Sequence, residues 1–384
     1  MGATPRKWIG VSATLEALSL EGPFDDLFTF EGRDFFFRYN IADATTGTRM
    51  NWAGISWSNY LDDRGDPDLP FTRTSLELLD ADTVLQVGGH LAISVASIVY
   101  IAGAVVVEKQ DLQVKTIGGT GTTTMSVLSI GGNVEIFAGL DGGFIRDGDD
   151  RVIGVNSDDG IGLAITVDSF ALVLAKPLPV GMTASTKSYT AIRASGSVEL
   201  KGLPVLQLAG SVVLSINTGK DGTSASPAID FGASAALDPG AWGSADGLLV
   251  YTDVGSDPPS TVIDFDENIE LQVAGRLLLS VDSFVHVSGN FAFKKSSDPV
   301  DVRLTGDTVD TPMTVLTVGA SDVNIFAGVN GPYFVDSNGD GVIDDNDTPN
   351  AEGAIGLVLS DVEFALAIFK PVVAPGATPS TLTY

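Results

Sequence analysis

Apolar side chains recur at every second residue over unusually long stretches of this chain. From Ile263 the odd positions read Ile263, Phe265, Ile269, Leu271, Val273, Gly275, Leu277, Leu279 and Val281, and the pattern continues through Val285, Val287, Gly289, Phe291 and Phe293. An earlier run behaves alike, from Val87, Gly89, Leu91 and Ile93 through Val99 and Ile101 to Val105 and Val107. A period of two puts these residues on one side of a pleated strand, so the pattern predicts strands with one face buried. The runs exceed any ordinary strand and must contain turns, for which Ala96-Ser97 and Asp282-Ser283 are the expected places. Helical periodicity is scarce; Thr74 to Asp82 offers the best short helix.

A shorter unit lies inside the alternation. Val273-Ala-Gly-Arg-Leu-Leu-Leu279 recurs as Val287-Ser-Gly-Asn-Phe-Ala-Phe293, and Val87-Gly-Gly-His-Leu-Ala-Ile93 recurs as Ile101-Ala-Gly-Ala-Val-Val-Val107. Ala194 to Leu200 and Leu208 to Leu214 repeat the same form. Apolar-x-Gly-x-apolar-x-apolar at fixed spacing implies successive strands in register, with each glycine at a bend or close approach. The fold class is therefore all-β: an elongated β-solenoid-like array, favoured by the regular spacing, or a curled antiparallel sheet. An outer-membrane barrel also alternates, but the aromatic residues form no paired girdles and Asp-rich loops split the strands.

The alternation is itself duplicated. Met125-Ser-Val-Leu128 returns as Met313-Thr-Val-Leu316, and Val134-Glu-Ile-Phe-Ala-Gly139 as Val323-Asn-Ile-Phe-Ala-Gly328. Ile161-Gly-Leu163, Phe170-Ala-Leu172 and Lys176-Pro177 return as Ile355-Gly-Leu357, Phe364-Ala-Leu366 and Lys370-Pro371. The match weakens toward the start, where Trp8 to Ala13 resembles Tyr189 to Ala194. A tandem period of roughly 190 residues divides the chain into unit 1, residues 1–188, and unit 2, residues 189–384. Ser380-Thr-Leu-Thr-Tyr384 mirrors Ser185-Thr-Lys-Ser-Tyr189, so the chain is expected to be a piece of a longer array.

Charge narrows the partners. Asp and Glu number 49 against 21 Lys and Arg, a formal net charge of −28, which disfavours nucleic acid and favours cations. The chain has no cysteine, so neither disulfides nor thiolate sites exist. No run is long enough for a membrane helix, and Trp8 to Leu20, interrupted by Glu16, is too short for a signal segment. A mean hydropathy of +0.25 leaves room for an apolar sheet face that holds lipid or another copy of the chain. The two histidines, His90 and His286, are expected to face solvent from strands.

One motif carries chemistry. In Asp336-Ser-Asn-Gly-Asp-Gly-Val-Ile-Asp-Asp-Asn-Asp347, Asp336, Asn338 and Asp340 stand at alternate positions, and Gly341 permits the sharp turn of a calcium loop. Val342 offers its carbonyl, Asp344 the ninth position and Asp347 the twelfth, where Glu is usual. So many carboxylates repel one another without a cation, and Ca2+ is the expected ligand. The unit 1 counterpart differs: Asp147 and Asp149 hold the first two positions, but Arg151 fills the next, with Asn156, Asp158 and Asp159 beyond. Asp62, Asp63, Asp66 and Asp68 form another acidic turn around Arg64-Gly65-Asp66. Phe24, Phe28, Phe30, Phe35, Phe36, Phe37 and Tyr39, beside Trp52 and Trp57, read as a capping core. No catalytic triad, zinc, P-loop or dinucleotide motif is present, and the chain reads as non-enzymatic.

The loop resembles those of dockerins and other bacterial extracellular calcium modules. The stretch Phe326 to Gly341, with Gly353-Ala-Ile-Gly-Leu-Val-Leu359, resembles repeats of very large secreted bacterial proteins of adhesin-like or matrix-like character. The resemblance covers the last sixty or so residues of each unit, and unit 1 departs from it at the calcium loop. It implies an extracellular, cell-surface structural role, with adjacent repeats of the same protein as partners, self-association into fibres, or a cell-surface glycan. A carbohydrate-binding or carbohydrate-active β-solenoid is the alternative.

Overall fold

Strands that pair with their own sequence neighbours need only tight turns to do so. The computed structural model describes residues 6–19, 28–43, 46–52, 54–55, 76, 79, 81, 83–179, 184–254, 258–295, 299–306, 308–331, 333–335, 337, 349 and 353–372. Its first five long strands are β1 (Ile9–Ser19), β2 (Phe28–Ile41), β3 (Thr83–Val95), β4 (Val99–Thr116) and β5 (Thr123–Leu140). A hairpin of β6 (Gly143–Arg146) and β7 (Val152–Asn156) precedes β8 (Ile161–Pro177), β9 (Lys187–Lys201) and β10 (Leu206–Asp221). An insert then carries β11 (Ser224–Ser226), β12 (Ile229–Asp230), α1 (Phe231–Ala235), α2 (Pro239–Trp242), β13 (Leu248–Tyr251) and β14 (Ser260–Ile263). The chain closes with β15 (Ile269–Val281), β16 (Val285–Lys295), β17 (Val300–Val302), β18 (Thr311–Val329) and β19 (Ile355–Pro371).

The long strands form one antiparallel sheet in the order β1-β2-β3-β4-β5-β8-β9-β10-β15-β16-β18, with β19 beyond β18. This is a meander, and it corrects the solenoid expectation. The glycine-centred unit arises from hairpins rather than stacked coils. In β15–β16, Val281 faces Val285, so Gly275 lies across from Phe291 and Gly289 across from Leu277. In β3–β4, Gly89 likewise meets Val105 and Gly103 meets Leu91. Two of these glycines admit a neighbouring backbone closely: a Cβ on Gly103 would lie 2.1 Å from the Asn133 carbonyl oxygen, and one on Gly275 2.1 Å from that of Ser211. The turns fall where the alternation places them. Ala96 and Ser97 both take left-handed backbone angles (φ 51), as does Asp282 (φ 45), the geometry that matches strand twist in a tight hairpin.

Strands this long bend. Register shifts interrupt β2–β3 between Arg33 and Phe36, β5–β8 between Gly132 and Val134, β8–β9 between Val167 and Ser169, and β18–β19 between Ala320 and Val323. His90 pairs with Arg33 on one side and Ala104 on the other, and Ala104 pairs with Asn133, so the β2 and β5 bulges lie on one line. Asp34, Asp322 and Asp361 adopt positive φ there (55, 54 and 51), an angle a short polar side chain tolerates better than a branched one.

Burial reverses the sequence expectation. On β4 the even residues Ala102, Ala104, Val106, Leu112 and Val114 are buried, whereas Ile101, Val105 and Val107 stay half-exposed. The cause is the insert, which lies over the opposite face. Ile229, Phe231, Trp242, Val250, Ile263 and Phe265 pack on Leu112, Met125, Val127, Val173, Ala175, Tyr189 and Ala191. Phe231 meets Trp242 and Phe265 edge-on, with centroids 6.0 and 6.4 Å apart. This core straddles positions 188 and 189, where Ala175 pairs with Tyr189.

Two helices that apolar periodicity does not reveal start at Asp N-caps. Asp230 accepts from the Ala233 N–H at 2.8 Å and Asp238, followed by Pro239, from the Ala241 N–H at 3.2 Å. The Thr74–Asp82 candidate falls mostly outside the described residues. No helix among the described residues is long and apolar enough to cross a membrane.

A buried asparagine anchors each segment that follows a second strand. Asn217 Nδ2 donates to the Ile229 and Glu267 carbonyls at 2.8 and 2.9 Å, gathering both ends of the insert. Asn40 Nδ2 donates to the Met50 carbonyl at 2.9 Å, and its Oδ1 accepts from Trp52 Nε1 at 2.9 Å.

Candidate functional site

The calcium-loop residues Asp336, Asn338, Asp340, Gly341, Val342, Asp344 and Asp347 lie outside the described residues, as do Asp62, Asp63, Asp66 and Asp68. The residues flanking this segment are described. Asn330, at φ 60, donates from Nδ2 to the Gly353 carbonyl at 3.1 Å, and the Gly331 N–H reaches the Ser283 carbonyl at 2.9 Å. Inside this clamp Phe334 packs on buried Phe326 and lies 5.8 Å from the His286 ring. Tyr333 to Val335 forms no strand; Tyr333 and Phe334 pack into the cluster around Phe326 instead. Ile355 to Leu359 does begin β19.

The counterpart in residues 1–188 is the β6–β7 hairpin. Asp147 Oδ1 accepts the Asp149 and Arg151 N–H groups, both at 2.9 Å, which holds its carboxyl below the usual range, the Arg151 bond contributing most. The turn thus satisfies its first acid with backbone donors. Arg151 Nη2 lies 3.6 Å from Glu16, and Arg146 binds Glu31. Asn156 Oδ1 accepts from the Asp158 N–H at 3.1 Å. Among the described residues no group of three or more His, Asp or Glu side chains is arranged to hold a metal. Phe144 of this hairpin meets Tyr100 edge-on at 5.3 Å, whereas Phe334 lies tilted over His286 at 33°.

The densest polar arrangement is one that sequence reading did not single out. It forms on the bulge line, where the insert returns to the sheet. Asp253, just after β13, accepts from His90 Nε2 at 3.0 Å through Oδ1 and from Asn133 Nδ2 at 3.2 Å through Oδ2. Asn133 Oδ1 in turn accepts the Ala104 N–H at 3.2 Å, a donor freed by the bulge. His90 Nδ1 is buried without a hydrogen-bond partner and lies 3.6 Å from Asp34, whose carboxylate takes Arg33 Nη1 at 2.6 Å. Burial lowers the His90 pKa, Arg33 lowers it further, and Asp253 and Asp34 pull the other way. The imidazole is therefore neutral at neutral pH.

Two open clefts meet at this latch. One, of about 680 Å³, is lined by Glu31, Arg33, His90, Asn133, Glu135 and Asp168. The other, of about 950 Å³, runs between β2–β4 and the insert, past Phe35, Phe36, Arg38, Gln86, Glu108 and Tyr251. There Arg38 stacks 4.4 Å over Phe36 and binds Gln86, and burial lowers its pKa against the attraction of Glu108.

No family model, no curated protein and no solved structure matches this chain.

Chemically, His90, Asn133 and Asp253 fasten the insert to the sheet: each makes a bond that only the assembled state provides. The twin glycines before Asn133 were the available signal, since glycine inside a strand marks a bulge. Neither histidine stands free on a strand face: His90 is half-buried at the junction of the two clefts. His286 is 4% exposed and its Nε2 lacks a partner, so burial lowers its pKa. Both sit on the even face that the insert and the loop mouths cover. Of the aromatic cluster, Phe36 is half-buried, whereas Phe37 and Tyr39 lie on the exposed face of β2.

Proposed function

We propose that this chain is an extracellular structural and adhesive β-repeat segment, stiffened by calcium and belonging to a longer bacterial surface or filament protein. One observation supports the reading above the rest. Tyr189, at the start of the second sequence copy, pairs with Ala175 in the same antiparallel sheet that joins the other strands. Units that join by adding strands to one sheet can be multiplied without a new kind of interface. The calcium site is Asp336, Asn338, Asp340, Val342, Asp344 and Asp347, and its role is to clip the segment between Asn330 and Gly353. The test is thermal unfolding in millimolar calcium against chelator, for the parent chain and Asp340→Ala. A calcium-dependent rise in Tm that the substitution abolishes supports the reading. Identical melting in calcium and chelator removes the calcium clip from it.

The cleft beside Phe35, Phe36 and Arg38 favours a second reading, glycan binding, because aromatic faces, carboxylate and amides line one groove. Titration with oligosaccharides, compared between the parent and Arg38→Ala, decides it.

A further inference from the structure

We propose that β19 of one copy pairs antiparallel with β1 of a second copy, in the register by which β8 pairs with β9 inside the chain. The inference deepens the array reading by naming the partner and the junction, and it rests on that reading.

The internal junction supplies the template. Leu172 faces Ile192 and Phe170 faces Ala194 across β8–β9. The strand that repeats β8 is β19, with Phe364 and Leu366 in the places of Phe170 and Leu172. The strand that repeats β9 is β1, with Val11 and Ala13 in the places of Ile192 and Ala194. Carrying the register over sets Leu366 opposite Val11 and Phe364 opposite Ala13 of the second copy.

Both edges lack what the internal strands have. Among the described residues nothing pairs with the outer edge of β1 or of β19. Phe364 is 52% and Leu366 47% exposed, whereas Phe170 and Leu172 are half-buried against β9. The edges are thinly guarded: β1 has one charge, Glu16, and no proline, and the guards of β19, Asp361, Glu363, Lys370 and Pro371, leave Phe364 to Phe369 apolar. A long, largely apolar edge is a template for another strand. Two different edges that fit each other make a head-to-tail contact, which propagates rather than closes. The net charge of −28 opposes association, so it strengthens as salt screens that repulsion.

The absence of cysteine allows a clean test. Val11→Cys and Leu366→Cys chains, each folded by circular dichroism, are mixed at raised salt with a short bismaleimide. The proposal expects a cross-linked dimer from the mixture and a ladder of multimers from the double variant. Leu357→Cys replaces Leu366→Cys as the out-of-register control, roughly 30 Å along the strand, and should not couple. A double variant that bridges only within one chain would show the sheet closing on itself and overturn the proposal. So would the lack of any bridge in the mixture, or equal coupling of Val11→Cys to Leu357→Cys. If calcium still raises Tm through Asp340 while the bridge fails, the array reading stands and this junction falls.

Discussion

Asn40 and Asn217 occupy corresponding places near the ends of β2 and β10, both essentially buried, and each turns its amide onto the backbone of the segment that follows. The amide of Asn217 bridges two carbonyls that are far apart in sequence, those of Ile229 and Glu267. Without it both carbonyls would be buried with one fewer donor, and an unmet buried polar group costs more than a met one gains.

Replacing Asn217 with Leu should therefore destabilise the chain by about 2–4 kcal/mol. Asn217→Asp should do worse, because a carboxylate cannot donate to either carbonyl. Urea unfolding followed by tryptophan fluorescence reads the effect through Trp242, which lies in the layer the amide holds down. An unchanged midpoint for Asn217→Leu would mean that the insert is held by its apolar face alone.

The close approach of insert and sheet predicts an asymmetry between two glycines. Leu128-Ser-Ile-Gly131 and Leu316-Thr-Val-Gly319 are counterparts in the sequence repeat. A Cβ on Gly131 would lie 2.0 Å from the Tyr251 carbonyl oxygen, whereas one on Gly319 meets nothing nearer than the Phe364 carbonyl at 3.8 Å. Gly131→Ala should cost about 1–3 kcal/mol by pushing the insert off the sheet. Gly319→Ala should change stability by no more than about 0.5 kcal/mol. Equal costs in paired denaturation curves would refute the insert's placement over β5.

These glycines also mark what periodicity can convey. Alternation exposes the strands, and residues such as Ala96 and Asp282 expose the turns, because backbone geometry constrains them locally. Which face is buried is decided by a distant segment: Ala171, Ala175 and Ala191 are too small to announce a core, and Phe231 and Trp242 that cover them sit in an insert without a period. The recurring glycine units fit stacked coils and hairpins equally well until Val281 is seen opposite Val285. The latch of His90, Asn133 and Asp253 joins three separate stretches of chain, and no local spacing encodes it. The acidic motif Asp336–Asp347 is the opposite case, a contiguous spacing read from sequence alone that lies almost wholly outside the described residues.

The latch also makes a directional prediction. Asp253→Ala removes the acceptor of both His90 Nε2 and Asn133 Nδ2, leaving two donors beneath the insert. A loss of about 2–3 kcal/mol is expected, with faster amide exchange in β13 and β14 than in β15. Uniform exchange across all three strands would show that the insert and the sheet unfold as one unit, without a local role for Asp253.

His286 gives the chain a sensitivity to acid. Its ring lies against Phe334 in a site where burial lowers the pKa below that of a free imidazole. The folded chain therefore binds fewer protons than the unfolded chain once pH drops below about 6.5, and stability must fall with it. The loss begins near the unfolded pKa and is complete when pH has passed below the folded one. Each tenfold difference in proton affinity is worth about 1.4 kcal/mol. The other copy has Tyr100 at the corresponding place, with Phe144 edge-on to it, so an aromatic ring without a basic nitrogen fits this kind of site. His286→Tyr should therefore melt with a smaller drop between neutral and mildly acidic pH than the parent chain does. His90, also held below its ordinary pKa, leaves a residual slope of the same sign. Parallel pH profiles of Tm for parent and variant would mean that His286 accepts its proton without opening the clamp, and that the contact with Phe334 yields before the fold does.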